Sequence, residues 1–351
     1  MQTFSIALLP GDGIGPDVVA EAVKVLRVVE RELDGVKFDC REYSIGAGEY
    51  LRSGDPMPES TFEKARECDA ILLGAMGLPA VRRDSGQEIA PQLDLRERLE
   101  LYAGARPIRL FHPEDSPLRN AGTIDFLMVR ENTEGMFWSR LEKYADDAAE
   151  VVDKCRISRA GSERLFHWAF QQARARRKKV TLVDKANVLP SMAYFRKIFD
   201  EVAEHYPDIA TERFYVDAMS LYLVQRPHSF DVIVTENLFG DILSDLAASL
   251  VGGMGMAPSG DIGEKHAVFQ PSHGSAPDIA GKGIANPVAT ILSTAMMLEW
   301  LAGEETSRGA QLIYDAVNRV FAEPGQRTRD MGGRLSTTEM GDLVASSIRV
   351  R

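Results

Sequence analysis

Asn237-Leu238-Phe239-Gly240-Asp241-Ile242-Leu243-Ser244-Asp245 is the stretch at which a strand pattern passes directly into a helix pattern. The preceding residues 231–235 are typical of a buried strand, and residues 246–250 continue an apolar helical period. Positions i and i+4 share one helix face, so the carboxylates of Asp241 and Asp245 are predicted to face the same point. Such a pair favours a hard cation, Mg²⁺ or Mn²⁺, between its oxygens. On spacing alone, an acidic pair that complements the helix dipole is an equal alternative.

Length and composition indicate a two-lobed enzyme. A chain of 351 residues exceeds the size at which one core usually keeps growing. Its net charge of −11 argues against nucleic acid or an anionic membrane as a partner, because those contacts need Lys and Arg. The three cysteines, Cys40, Cys68 and Cys155, form neither a disulfide framework nor a CxxC motif. With no signal-like or membrane-spanning stretch in the sequence, we expect a cytoplasmic location.

Strand and helix patterns alternate along the chain, which predicts an α/β fold. The alternation of Phe4, Ile6 and Leu8 indicates a first strand, and a helical period follows between Pro16 and Gly35. Further strands are predicted at 36–43, 69–75, 124–129, 180–184, 214–216 and 231–235. Long helices are predicted at 288–301 and 311–321. Segments 140–150 and 324–333 are expected to be surface connections.

The glycine loop Gly11-Asp12-Gly13-Ile14-Gly15-Pro16 follows the first strand. A Rossmann fingerprint requires its third glycine at the position of Pro16, so the loop does not provide that close approach of a helix to a pyrophosphate. A tight strand-to-helix turn is at least as good an interpretation as a cofactor contact.

Five motifs together resemble the β-decarboxylating dehydrogenases, the family of the isocitrate, isopropylmalate, homoisocitrate and tartrate/D-malate dehydrogenases. They are the glycine loop, residues 183–189 (VDKANVL), 215–219 (YVDAM), 237–245 (NLFGDILSD) and 273–287 (HGSAPDIAGKGIANP). The resemblance implies the two-lobed isopropylmalate/isocitrate dehydrogenase-like fold rather than a Rossmann fold. It implies a cofactor-binding lobe from residues 1–100 and 252–351, and a second lobe, residues 101–251, with the interface of a homodimer.

The resemblance also implies a reaction and a shared active site. Family members oxidise a (2R)-malate-type 2-hydroxy diacid with NAD(P) and a divalent metal, remove its β-carboxylate, and protonate the enol. Asp241 and Asp245 of one subunit, with Asp217 of its dimer partner, are then the expected metal ligands. Lys185 is the expected proton-transfer residue, and Asp217 is grouped with it as catalytic.

For the substrate, the resemblance assigns Arg96, Arg106 and Arg130 to the carboxylates, since guanidinium groups bind carboxylates in bidentate fashion. Gln92 and Leu93 lie where the family contacts the group on C3. That pair matches neither the apolar surface of isopropylmalate enzymes nor the Ser and Asn of isocitrate enzymes. We favour a malate- or tartrate-like substrate, with an isopropylmalate- or isocitrate-type substrate as the alternative.

For the cofactor, the resemblance favours NAD over NADP. NADP users commonly carry Lys and Tyr at the positions of Asp278 and Ile279, and an aspartate repels a 2′-phosphate. His273 is assigned to binding rather than catalysis. The expected cofactor-binding residues are His273, Gly274, Ser275, Ala276, Asp278, Ile279, Asn286 and Asn187.

Two positions depart from the family pattern. Phe137 replaces the tyrosine thought to protonate the enol, and we assign Phe137 to the substrate site. Gln270 replaces a glutamate, which removes a charge expected near the cofactor ribose. These departures leave open a second class of function, a non-catalytic regulatory subunit that keeps the fold.

Overall fold

The computed structural model describes residues 1–83, 86–145 and 147–349. Its strands are β1 Gln2–Gly11, β2 Val36–Glu42, β3 Ala70–Ala75, β4 Ala103–Arg109, β5 Asp125–Glu131, β6 Lys179–Asp184, β7 Ala210–Tyr215, β8 Val232–Thr235, β9 Pro258–Ile262 and β10 Ala267–Pro271. Its α-helices are α1 Gly15–Glu32, α2 Ala47–Ser53, α3 Glu59–Arg66, α4 Pro91–Arg98, α5 Arg159–Arg174, α6 Pro190–Ala203, α7 Val216–Gln225, α8 Asn237–Ser249, α9 Val288–Trp300, α10 Glu304–Phe321 and α11 Thr337–Ser346.

The chain divides into two compact units. Unit 1 comprises Met1–Leu99 and Gly252–Arg351, and unit 2 comprises Glu100–Val251. In unit 1 the strand order is β2-β1-β3-β10-β9, with β9 antiparallel to β10 and the other pairs parallel. Helix α9 is buried at every position from Val288 to Leu298 and packs against β9, β10, α1 and α10. A helix that is apolar on all sides is a core helix, so α9 forms the centre of unit 1.

Unit 2 has the strand order β4-β5-β8-β6-β7. Strand β4 is antiparallel to β5, and the remaining pairs are parallel. Buried side chains of β5, β8, α7 and α8 form one apolar cluster, in which Met128, Ile233, Leu223 and Leu243 are shielded from solvent. The connection between β8 and α8 therefore joins two elements that are both anchored in this core.

The α/β fold class is confirmed, including its departure from the Rossmann arrangement. Residues 214–216 were predicted as a strand, and this is wrong for Val216, which begins α7 after β7 ends at Tyr215. Strands β4, β9 and β10 have no counterpart in the prediction. Gly, Pro and charged residues interrupt the apolar pattern of β4 and β9, and the apolar run of β10 is only three residues long, Ala267 to Phe269. Across the described ranges, no helix has the length and apolar character needed to cross a membrane.

Candidate active site

Four parallel strands of unit 2 end at one edge of the sheet, and predicted site residues follow three of those ends. Lys185 follows β6, Asp217 lies in the first turn of α7 after β7, and α8 begins directly after β8. Arg130 is the penultimate residue of the fourth strand, β5. Ligands of open α/β sheets bind beyond the carboxyl ends of the strands, so we expect the active site at this edge.

Helix α8 holds Arg130 against Asp241. The Glu236 carboxylate caps the helix by accepting from Phe239 N–H at 2.7 Å. Gly240 lets the Arg130 stem pass beneath the helix, since a Cβ at Gly240 would lie 2.7 Å from Arg130 Cγ. The guanidinium, which is 1% exposed, forms an ion pair with Asp241 and donates from Nε to Asn237 Oδ1 at 3.0 Å. Arg130 is therefore fixed by both an opposite charge and a neutral acceptor.

Asp245 lies one turn further along α8 than Asp241, and Arg106 of strand β4 lies beside it. Arg106 is buried and donates to Ser244 Oγ at 2.6 Å, while its Nη1 lies 3.8 Å from Asp245 Oδ1. Burial raises the pKa of Asp245, Arg106 opposes that rise, and the charge of Asp241 adds to it. Each of the two aspartates thus lies beside a buried arginine. We refer to Asp241, Asp245, Arg106 and Arg130 as the Asp241 cluster.

Lys185 and Asp217 form a second charged group, an ion pair at the ends of β6 and β7. Lys185 lowers the pKa of the exposed Asp217 carboxyl. The neighbouring Asp184 is fully buried and accepts two bonds of 2.7 Å from Arg196, whose guanidinium stacks on Tyr215. Arg196 therefore ties together the two strand ends that carry Lys185 and Asp217.

One subunit does not bring the three predicted metal ligands together. Within the described part of the chain, no group of three or more His, Cys, Asp or Glu side chains is arranged to hold a metal ion. Asp241 and Asp245 share α8, whereas Asp217 pairs with Lys185. To place three carboxylates around one metal ion, either the Asp241 and Asp245 pair or the Asp217 and Lys185 pair would need additional carboxylates from elsewhere.

Phe137 lies beside a predicted substrate arginine. Its ring is half-buried, and the centroid is 5.1 Å from Arg130 Cζ. Gly135, two residues before Phe137, has a φ of 72°, and a Cβ at this position would lie 2.6 Å from Glu236 Oε2. The chain reversal that brings Phe137 to Arg130 thus depends on a residue without a side chain.

The third predicted substrate arginine, Arg96, belongs to unit 1. It is 5% exposed on α4, and its Nε donates to Asp261 Oδ2 of β9 at 2.9 Å. On the same helix Gln92 and Leu93 are half-buried, and the buried Gln92 Oε1 has no hydrogen-bond partner among the residues that the structure describes. A buried amide oxygen without a donor is costly, so a polar ligand there would relieve that cost.

The predicted cofactor-binding loop of unit 1 is docked on the glycine loop. Ile14 N–H donates to Ser275 O at 2.8 Å, and Ser275 Oγ donates to Gly77 O. Gly13, with φ 59°, allows this contact, since its Cβ would lie 1.9 Å from Ser275 O. Ile279 packs against the cluster that contains Ile14. The glycine loop is therefore a tight turn that supports the second loop.

The other predicted cofactor residues differ in their surroundings. Burial lowers the pKa of His273, and its Nδ1 lies 2.9 Å from Gly274 O. Asn286 donates to Asp330 at 3.1 Å. Gly274 and Asp278 are exposed, and Ala276 is half-buried. Asn187 is exposed and belongs to unit 2.

Three residues outside the predicted set hold predicted residues in position: Asn237, Ser244 and Asp261. Asn237 lies one helical turn before Asp241, so the period that paired the two aspartates could have identified it. Asp261 carries no comparable signal, because its contact with Arg96 spans 165 residues.

Known proteins are similar to this chain over nearly its whole length. The family model for isocitrate/isopropylmalate dehydrogenases matches residues 5–344. The 3-isopropylmalate dehydrogenase of Lactococcus lactis is 42% identical over 97% of both chains. The 3-isopropylmalate/3-methylmalate dehydrogenase of Methanocaldococcus jannaschii is 43% identical over 98% of both. The crystal structure of isocitrate dehydrogenase from Methylococcus capsulatus superposes with a TM-score of 0.88 at 38% identity, covering 99% of this chain and 100% of that one.

These matches confirm the predicted enzyme class, since they extend over nearly the whole length of this chain and of each relative. The chain belongs to the isocitrate/isopropylmalate dehydrogenase family and is an oxidatively decarboxylating dehydrogenase that acts on a CH–OH group.

Proposed function

We propose that this chain oxidises and decarboxylates a (2R)-malate-type 2-hydroxy diacid of the 3-isopropylmalate kind, with NAD as the hydride acceptor and Mg²⁺ or Mn²⁺ as the metal. The Asp241 cluster carries the proposal, because it sets two carboxylates beside two buried guanidinium groups. Such a site can hold a cation and a dicarboxylate together, which the reaction requires.

The donor set of the cluster fits a hard divalent cation. Asp241 and Asp245 offer only oxygen atoms. Burial raises the pKa of Asp245, Arg106 opposes that rise, and repulsion by the charge of Asp241 adds to it. A bound cation would relieve that repulsion and, as a Lewis acid, stabilise negative charge on the substrate oxygens. Asp241 and Asp245 would hold it, and Arg106 and Arg130 would bind and orient a substrate carboxylate.

We further propose that Asp217 and Lys185 of a second subunit complete the site, with unit 2 forming the homodimer interface and unit 1 binding the cofactor. Unit 2 exposes apolar side chains on α7 and α8, namely Leu221, Val224 and Ile242, as an interface would. In a shared site Lys185 would take the proton of the 2-hydroxyl, directly or through water, as hydride leaves.

The names of the relatives favour the isopropylmalate alternative over the malate- or tartrate-like substrate that the sequence suggested. A malate- or tartrate-like diacid remains the second candidate because of Gln92. Its buried amide oxygen would accept a hydrogen bond from a hydroxyl substituent on C3, whereas an isopropyl group would leave it without a donor.

A substrate screen tests the proposal. Purified chain with Mn²⁺ and NAD is given 3-isopropylmalate, malate, tartrate and isocitrate, and NADH and CO₂ are measured. We expect both products in equal amounts, with the highest kcat/KM for 3-isopropylmalate. A higher kcat/KM for tartrate would select the second candidate. Absence of turnover with every diacid, in a folded dimer, would favour the non-catalytic subunit.

Cofactor preference should depend on Asp278 and Ile279. Asp278 is exposed and Ile279 is half-buried, so neither side chain is fully enclosed by the protein. We expect the wild-type chain to prefer NAD, and Asp278→Lys with Ile279→Tyr to narrow or invert the ratio of kcat/KM for NAD and NADP, because a repulsive charge becomes a phosphate partner. Glu264→Lys, at an exposed acid between β9 and β10, controls for net charge. Equal use of both nucleotides by the wild-type chain would contradict the assignment.

Phe137→Tyr should raise turnover if protonation of the enol is slow. General acid catalysis contributes ~10²- to 10⁴-fold, so its absence can make that step limiting. Single-turnover measurements of NADH and CO₂ should show the two products separating in time in the wild-type chain and less so in the variant. Phe111→Tyr is the matched control, since that ring also stacks on an arginine, with Arg109 Cζ 5.2 Å from its centroid. A higher KM with no gain in turnover would instead indicate that Phe137 contacts the substrate.

A further inference from the structure

Asp261 is a buried carboxylate shared by two donors from different elements of unit 1. Arg96 Nε of α4 lies 2.9 Å from Asp261 Oδ2, and Gln270 Nε2 of β10 lies 2.7 Å from the same oxygen. Arg96 is 5% exposed, Asp261 1% and Gln270 7%. Water therefore has little access to this group of three, which we call the Asp261 triad.

Backbone pairing fixes the distance between Gln270 and Asp261. In the antiparallel pair β9–β10, Gln270 is opposite Ser259, and Asp261 is two residues further along β9. The two side chains are thus diagonal neighbours on one face of the sheet. Ser293 Oγ of the central helix α9 donates to Gln270 O at 2.9 Å. Gln270 is therefore held by the core as well as by its strand.

The charges of the triad require a neutral donor at position 270. Asp261 and Arg96 carry opposite charges, and the Gln270 amide satisfies the carboxylate without adding a charge. A glutamate there would bring two carboxylates together in a buried site, where repulsion is weakly screened. The sequence suggested that Gln270 removes a charge near the cofactor ribose, whereas the structure directs its amide at Asp261.

We propose that Gln270 is a positioning residue for substrate binding: through Asp261 it fixes the guanidinium of Arg96, so that the residue at 270 sets the affinity for the diacid rather than for NAD. This inference rests on the proposed role of Arg96 at a substrate carboxylate. A bond to Nε fixes the plane of the guanidinium, and the Nη groups carry the other four N–H donors, which are the ones suited to a carboxylate. Pro271 links Gln270 to the cofactor-binding loop, so the triad also connects that loop to Arg96.

The test is a charge exchange between positions 270 and 261. Gln270→Glu should raise KM for the diacid about tenfold, with KM for NAD changed by less than about twofold, because a charge-assisted bond that orients Arg96 is disturbed. Asp261→Asn should have a similar effect. The double variant again has one carboxylate and one amide, so it should recover a large part of the lost affinity. Additivity of the two single effects would mean no coupling and would overturn the inference.

Control variants separate positioning from general damage. Gln311→Glu is the matched control, since Gln311 also donates to a carboxylate, Asp315 Oδ1 at 2.9 Å, but is exposed on α10. It should leave both KM values unchanged. Gln270→Met removes the donor without adding charge and should raise the diacid KM less than Gln270→Glu does. A rise in the NAD KM alone for Gln270→Glu would overturn the inference.

Thermal unfolding distinguishes failure of this inference from failure of the proposed function. If the wild-type chain oxidises no diacid, the proposed function fails, and the unfolding midpoints still report on the triad. A midpoint lowered by Gln270→Glu and restored by adding Asp261→Asn supports the charge coupling. Turnover of the diacid with an unchanged diacid KM in Gln270→Glu would leave the proposed function standing and overturn the positioning role.

Discussion

Asp241→Asn should reduce metal-dependent turnover by more than about 10²-fold, because loss of even an outer-shell partner of a metal costs 10- to 100-fold and Asp241 is a proposed direct ligand. The amide still accepts a hydrogen bond from Arg130, so the ion pair in the structure is replaced by a hydrogen bond between a charged guanidinium and a neutral amide rather than by a cavity. The measurement is kcat/KM over a range of Mn²⁺ concentrations. Asp208→Asn, at an exposed acid paired with Arg174, should have no effect.

Mixing variants tests whether the site is shared. In a dimer formed from one Asp241→Asn and one Asp217→Asn chain, one of the two sites has all its aspartates. Random exchange of equal amounts makes half of the dimers mixed, so about one quarter of wild-type activity should return. Each variant alone should remain inactive. One variant is labelled with ¹⁵N so that mass spectrometry can distinguish mixed dimers. No recovery after subunit exchange has been confirmed in this way would mean that Asp217, Asp241 and Asp245 do not act across subunits.

Lys185→Met should lower kcat by about 10²- to 10⁴-fold, the range expected when a proton-transfer group is removed. In the structure Lys185 pairs with Asp217 and keeps the pKa of that carboxyl low. The variant therefore loses a proton acceptor and also lets the pKa of Asp217 rise. Mn²⁺ binding, followed by electron paramagnetic resonance, separates the two effects, because loss of catalysis with retained metal binding identifies the proton-transfer role.

The control for this prediction is Lys197→Met, which removes an exposed lysine paired with Glu201 at 3.9 Å. It should leave kcat unchanged. A Lys185→Met chain that retains most of its kcat would contradict proton transfer by Lys185, and the ion pair with Asp217 would then be a structural contact between the ends of β6 and β7.

Local sequence patterns were sufficient to predict a strand where that strand is apolar along its length. Strand β3, Ala70–Ala75, is buried at every position, and its continuous apolar run predicted it almost to the residue. Strand β9, Pro258–Ile262, is also buried throughout, but its sequence PSGDI contains one apolar aliphatic residue. Its burial depends on hydrogen bonds with β10 and on the contact of Asp261 with Arg96, which residues near it in the chain do not reveal.

The sequence by itself determined the α/β class, the family and the facing pair Asp241 and Asp245, because each depends on residues close together in the chain or on motifs in order. Only the tertiary structure decided which partners hold the charged groups. Asn237 at Arg130 and Gln270 at Asp261 depend on how strands pair and on where a helix packs. A buried charge must be paired with a partner in the folded chain. In these cases the partner comes from another strand or helix, so spacing along the sequence does not predict it.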